Sequence, residues 1–306
     1  MKNYNFKNCI FKFISYDRDG FFLRNLENRQ IYCRYFRNFN DPYESHYGTR
    51  LSAKSSNYVK SRRLIEITDP DFLSERANIN NEDVGRWLNS NAKALSVYSL
   101  KKAQELMQNV RFCSFSKNWK NILMWGHYAN GVRGACLIFD KDEIRKGRSA
   151  YTVAGQNVDA AVLPFIDVSY SKLPAVLDVE NIIVQANNKN ITDKEKSDLC
   201  LSLYKRCLGT KYKDWRYEEE VRLLIHHYGD IGQEDILYQY NDAALKGVIV
   251  GFKSTASDIE GLSKAISPEC DIYLTRSIDH KFEISICDNF KNHELDVNKL
   301  TFHQPF

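Results

Sequence analysis

The chain is short of the residues that announce several common chemistries. It has 14 Gly, 6 Pro and 3 Met in 306 residues. Its glycines form neither a Gly-x-x-x-x-Gly-Lys-Ser/Thr loop nor a Gly-x-Gly-x-x-Gly turn. Phosphate cradles of those two kinds depend on such glycines to expose backbone N–H groups, so both are excluded. No Gly-x-Ser-x-Gly elbow presents a nucleophilic serine. The eight cysteines, at 9, 33, 113, 136, 200, 207, 270 and 287, include no Cys-x-x-Cys pair and no Cys/His cluster at zinc spacing. Metal catalysis has no support here, and no metal site is expected. Cys33, Cys113 and Cys136 lie in strand-like runs, as reduced, buried thiols do.

Long apolar runs are missing too. None approaches the roughly 20 residues that span a bilayer. The N-terminal MKNYNFKNCIFKFISYDRDG has no apolar core and no small-residue cleavage site. The expected compartment is the cytoplasm, without membrane association. Charge of one sign is scarce: 43 Lys+Arg against 39 Asp+Glu leave +4, and the charges are dispersed. That excess does not argue for nucleic acid, although a local basic groove stays open.

What is present is an ordinary globular composition, 43% hydrophobic and 27% charged. The chain opens as strand–helix–strand: Ile10–Ile14, a helical run after Asp19-Gly20, then Ile31–Phe36. Phe39-Asn40-Asp41-Pro42 reads as a turn. Residues 52–109 read as mainly helical and polar, with Arg86-Trp87-Leu88 as a packing anchor. Val110–Ser116 reads as a strand, Asn118–Asn130 as a helix broken by Gly131, and Ala135–Asp140 as a buried strand. Ala160–Tyr170 suggests a strand with Pro164 at an edge or bulge, and Thr192–Leu208 a helix. Glu219–His226, Leu245–Phe252 and Asp271–Thr275 are late strands, with Glu283–Asp288 a further candidate and Ser254–Ile266 a crossover helix. The expected fold is α+β with a central mixed sheet, one domain over 1–306 with helical insertions at about 52–109 and 172–210.

Three constellations carry the chemistry. The first is Trp125-Gly126-His127-Tyr128-Ala129-Asn130-Gly131-Val132-Arg133. On a helix, Leu123 and His127 share one face and Met124 and Tyr128 another. A polar-aromatic cluster at a helix end can stack a flat ring and hydrogen-bond to it. The plainer alternative packs Trp125 and Tyr128 in the core and leaves His127 to cap a carbonyl. The second is Trp215–Arg222. On a strand, Glu218, Glu220 and Arg222 share one face, and burial of a carboxylate calls for a partner such as Arg222. Its plainer alternative is a Glu–Arg ladder at a solvated edge. The third is Phe39–Glu44, a rigid turn; the alternative is that its Asp41 and Glu44 face a pocket. His226-His227 on a strand point opposite ways and do not readily chelate one metal.

Taken together, Phe39-Asn40-Asp41-Pro42-Tyr43-Glu44, Cys113-Ser114-Phe115-Ser116 with Met124–Ala129, and Trp215 with Glu218, Glu220 and Arg222 resemble a widespread bacterial family classed as a domain of unknown function (the 2971 family). The motifs run in that family's order over about positions 10 to 252. More remotely, the opening strand–helix–strand, the aromatic/His element and the late Glu-x-Glu are similar to the NAD-dependent ADP-ribosyltransferase superfamily. That resemblance implies NAD as the cofactor and Glu220, Glu218 and His127 as catalytic residues. It implies Trp125, Tyr128, Arg133, Arg34, Asn40 and Asp41 as cofactor-binding residues, and an acceptor that is protein or nucleic acid. It points to a bacterial toxin or anti-phage effector. The sequence departs from the pattern at Phe13-Ile14-Ser15, where an aromatic–Arg–Ser run is usual, so Arg18, Arg34 or Arg37 would take that place. Two other functions stay open: a nucleic-acid-processing enzyme using His127, Asp41 and Glu44, and a non-catalytic sensor or interaction protein.

Overall fold

In the segment Cys9–Ile14, alternation sends Ile10 and Ile14 into one core and Phe11 and Phe13 into another. Such a strand is buried on both faces, and it sits inside a large sheet. The computed structural model describes residues 6–16, 19–39, 41–51, 58–76, 78–147, 149–187 and 192–297. The chain divides into two compact units. The first comprises Met1–Phe39, Val110–Val168 and Lys213–Phe306, and the second Asn40–Asn109 and Ser169–Tyr212.

The first unit is built on a sheet of thirteen strands among the described residues. From one edge ten of these run Ile284–Lys291, Asp271–Ser277, Leu245–Val250, Ala135–Asp140, Cys9–Ile14, Val110–Ser116, Gln30–Tyr35, Ile236–Gln239, Ser149–Thr152 and Asn157–Val158, and Glu220–His227, Ala160–Val162 and Ile166–Asp167 branch from this row. Pairing is antiparallel throughout this row except between Leu245–Val250 and Asp271–Ser277. Those two are joined by the crossover helix Ala256–Ala265, which Thr255 and Asp258 close with a capping box. The mixed α+β sheet expected from the sequence is what the structure has.

Val110–Ser116 is the hub of that sheet. One of its edges pairs along its whole length with Glu220–His227. Its other edge is shared, Ser116 facing Phe11 of the opening strand and Phe112 facing Arg34 of Gln30–Tyr35. Facing residues in antiparallel strands project to the same side. Glu220, Arg222 and Leu224 therefore share a face with Ser116, Ser114 and Phe112.

The second unit is largely helical. Asn81–Met107 is its longest helix, 27 residues opened by an Asn80–Asp83 capping box. Trp87 and Leu88 are buried there with Leu64, Ile65, Val179 and Ile183, while Arg86 stays outside and pairs with Asp83. The Trp87 indole N–H donates to Asp69 at 2.8 Å. Two short parallel ribbons complete the unit, Tyr47–Arg50 with Ala175–Asp178 and Ser169–Ser171 with Thr210–Tyr212.

Several boundaries differ from the sequence expectations. The run Ala160–Tyr170 is three short strands, Ala160–Val162, Ile166–Asp167 and Ser169–Ser171; Pro164 has no N–H to give a ladder and interrupts the pairing. The helix expected over Asn118–Asn130 spans Ile122–Tyr128, because Asn118 accepts from the Lys120 N–H in a turn and Asn121 caps Leu123. The expected helix over residues 52–109 is Tyr58–Thr68, Pro70–Ser74 and Asn81–Met107; residues 52–57 lie outside the described ones. Among the described residues no helix is long and apolar enough to cross a membrane.

Candidate functional site

The short helix Ile122–Tyr128 splits its residues as a helix should. Met124 and Trp125 are buried, whereas Leu123 and His127 are exposed. Trp125 is enclosed completely: its indole N–H donates to the Trp119 carbonyl at 2.7 Å and its ring meets Phe13 edge-on at 5.3 Å. No face of that indole is left for an incoming ring, so the cofactor-gripping role expected of Trp125 is corrected to a packing one. After the helix, Asn130, Gly131 and Val132 all have positive φ, at 47°, 62° and 70°. This tight reversal lets the Gly134 N–H donate to the Ala129 carbonyl. A Cβ at Gly134 would collide with the Ile14 carbonyl oxygen, which is why glycine is required there. Arg133 projects from this turn into solvent, and its carbonyl accepts from Ser254 Oγ at 2.8 Å.

The helix is joined to the second motif by two bonds. Asn121 Nδ2 donates to the Tyr217 carbonyl at 2.6 Å. The Tyr128 hydroxyl donates to Glu218 Oε1 at 2.5 Å. Burial, then this bond to Glu218, pushes the Tyr128 phenol above its ordinary range. Glu218 does not lie on the strand, contrary to the alternation read from the sequence. It ends a 3-10 turn, Lys213–Glu218, and Glu219 follows with φ 46° before the strand starts at Glu220. The left-handed residue breaks the period of two, yet Glu218 and Glu220 are both 4% exposed.

Glu220 is held by Arg222. The guanidinium donates through Nε to Oε1 at 2.7 Å and through Nη2 to Oε2 at 3.1 Å. Arg222 is 0% exposed, so this bidentate pair is a buried one. The Arg222 guanidinium also lies over the Phe112 ring at 4.4 Å. Phe112 is stacked in turn on Phe39, centroids 4.4 Å apart and planes 11° from parallel. Arg34 sits 5.8 Å from the Phe39 centroid and donates to the Asn38 carbonyl at 3.4 Å. A continuous row results: Glu220, Arg222, Phe112, Phe39, Arg34. Ser114 and Ser116 lie on the same sheet face, and Ser116 Oγ donates to the Asn118 carbonyl.

Outside the carboxylates stands a strip of rings. His127 is 6.0 Å from Tyr217 and 6.4 Å from Tyr128, and Trp215 is 6.1 Å from Tyr217. His127, Tyr128 and Glu218 are thus brought together in the first unit, whereas Arg34 stands at the far end of the row from Glu220, with Arg222, Phe112 and Phe39 between them. Asp41 and Glu44 belong to the second unit. Asp41 Oδ1 accepts from the Tyr43 N–H at 2.9 Å, an Asx turn, and Glu44 faces Lys211 at 4.0 Å. Asp41 thus forms a turn, and Glu44 is a buried carboxylate paired with a distant lysine. Asn40 lies outside the described residues, as does Arg18. Phe112 and the Phe39–Phe112 stack went unseen in the sequence because only the strand register brings them beside Arg222. Among the described residues no three or more His, Cys, Asp or Glu side chains cluster as metal ligands would.

No curated protein and no solved structure matches the chain. Residues 124–223, which hold both the Trp125–Arg133 and Trp215–Arg222 segments, match the model of the family described as "Protein of unknown function (DUF2971)".

Proposed function

We propose that the first unit is an NAD-dependent ADP-ribosyltransferase-like enzyme. The observation that carries this reading is the carboxylate pair at the mouth of Glu220–His227, with Glu218 tethered by Tyr128 and Glu220 clamped by Arg222. Cleavage of a nicotinamide–ribose bond develops oxocarbenium character, and fixed carboxylates in a low-dielectric site stabilise it at no reorganisation cost. Glu220 takes that role in this reading. Glu218, through Tyr128, positions the ring strip at the edge of the site. His127 and Tyr217 offer aromatic faces toward solvent for a planar base, and Arg34 offers the cation that a pyrophosphate requires. Arg34 then stands in for the arginine missing at Ile14.

The reading is tested by titrating the full chain with NAD while following tryptophan fluorescence, then measuring nicotinamide release. Saturable binding, weakened in Arg34→Ala and accompanied by nicotinamide release, is the expected result. An absence of both, with protein and nucleic-acid acceptors supplied, would remove it. The role as a bacterial toxin or anti-phage effector rests on this same reading and is tested by expressing wild type and Glu220→Gln in cells.

A second reading has one observation in its favour. Both Glu220 oxygens are engaged by Arg222, an arrangement that also suits a rigid, non-catalytic binding surface. It predicts that Glu220→Gln leaves the cellular phenotype unchanged.

A further inference from the structure

Cys9–Ile14 and Gln30–Tyr35 share one edge of the hub strand Val110–Ser116, and three reactive side chains meet where that edge passes from one to the other. The register of Arg34 with Phe112, carried one residue further, sets Cys33 opposite Cys113. Opposed residues of antiparallel strands project to the same side. Both cysteines lie in the core with Ile31 and Phe115, 0% and 1% exposed. The Cα atoms of such a pair stand about 4.5–5.5 Å apart, within the roughly 4.4–6.8 Å that a disulfide spans. The two thiols are nevertheless free.

Lys12 joins them from the opening strand. It alternates with Ile10 and Ile14, so its side chain runs along the same core. Its Nζ donates to the Ser114 carbonyl at 3.4 Å and lies 5.6 Å from the Phe115 centroid. Lys12 is only half buried, so its stem connects this place to solvent. A cation beside a thiol favours the thiolate, which is the form that reacts. The pair divides accordingly. Burial would raise Cys113, but a hydrogen bond from Cys33 and the charge of Lys12 make it the more acidic thiol, while burial and that same bond raise Cys33. A nucleophilic thiol beside a second one that can resolve it is the arrangement of a redox pair.

We propose that Cys33 and Cys113, beside Lys12, are a modification site that hydrogen peroxide converts into a disulfide. The Cys113 thiolate attacks one peroxide oxygen. The O–O bond breaks, a sulfenic acid forms, and hydroxide leaves to be neutralised by the proton that Cys113 gave up. The Cys33 sulfur then attacks the Cys113 sulfur; the S–S bond forms, the S–O bond breaks, and water leaves with the Cys33 proton. The two thiols lose two electrons and one peroxide is reduced to two waters. Peroxide is the oxidant that burial admits, being little larger than water. The new bond staples Gln30–Tyr35, which pairs with the hub through Arg34 and Tyr35, to Val110–Ser116.

The full chain, fully reduced, is treated with increasing hydrogen peroxide, quenched by alkylation in denaturant and digested without reductant for mass spectrometry. The expected product is a linked Cys33–Cys113 peptide that dithiothreitol removes. The oxidised protein should melt several degrees above the reduced one, as closure of a long loop requires. Cys287, which is exposed, reports that the oxidant was active. Cys33→Ser should leave Cys113 as a sulfenic acid that dimedone labels, and Lys12→Met should slow the linkage several-fold. Recovery of both cysteines as free thiols after Cys287 is oxidised would overturn the proposal. So would linkage equally fast in the urea-unfolded chain, an unchanged rate in Lys12→Met, or a lower melting temperature on oxidation. None of these outcomes depends on NAD chemistry.

Discussion

Tyr128 and Glu218 stand 90 positions apart in the chain and 2.5 Å apart in space, the hydroxyl donating to the carboxylate. This bond joins the helix-end motif to the glutamate motif, and Glu218 is buried behind it. Removing a donor from a buried carboxylate leaves a desolvated charge. Tyr128→Phe should therefore destabilise the protein by about 1–3 kcal/mol in urea unfolding. A double-mutant cycle with Glu218→Gln should return a coupling of roughly 0.5–3 kcal/mol. Additive effects would mean that the bond links nothing of consequence.

The Glu220–Arg222 clamp predicts an asymmetry. Arg222→Met strands a buried carboxylate and should cost on the order of 3–5 kcal/mol. Replacing both partners, with Glu220→Leu added, should recover most of that loss, since an apolar pair leaves no orphan charge. Denaturant midpoints of the three proteins decide the matter. A double variant less stable than Arg222→Met alone contradicts it.

His226 gives the pH dependence. Burial holds its imidazole below the ordinary value of 6.5. A depressed folded value means the unfolded chain binds the proton first, so this contribution to stability is complete above about pH 6.5 and is lost as pH falls through the folded value. His226→Gln should flatten the fall in melting temperature over that acid range while leaving the slope near pH 8 alone. An unchanged acid slope would assign it to other groups.

Gly134 tests the tight turn. Its missing Cβ makes room for the Ile14 carbonyl, a backbone atom that cannot swing away. Gly134→Ala should lower stability by roughly 1–3 kcal/mol, the cost of local backbone strain. Gly126→Ala, where nothing lies within 4 Å, serves as the control and should be neutral or slightly stabilising. Equal effects of the two would show that the turn relaxes freely.

Much of this was legible in the chain itself. Ala135–Asp140 was found because a sheet interior demands a continuous apolar run, and the helix from Asp193 because Leu199, Leu203 and Cys207 recur at helical spacing; its Thr192 cap came from the structure. The pairing of Arg222 with a glutamate followed from the cost of burying either alone. What failed did so where local pattern met backbone exceptions. Glu219 in a left-handed conformation shifts Glu218 off the strand, a feature that no alternation rule encodes. Trp125 looked available for stacking, but Trp119 and Phe13 enclose it. The Phe39–Phe112 stack depends on register between distant strands, which sequence spacing does not carry. The turn read at Phe39–Pro42 is there, with Asp41 Oδ1 accepting from the Tyr43 N–H.

In the proposed function, Glu220 acts on the nicotinamide–ribose bond of NAD. Nicotinamide release from NAD by wild type and by Glu220→Gln, each verified as folded by circular dichroism, tests it most directly. Wild type should release nicotinamide and the variant should do so about 10²–10³ more slowly, the loss expected when one electrostatic group of a transition state is removed. Equal release by the two proteins, or none from wild type with any acceptor, would contradict it.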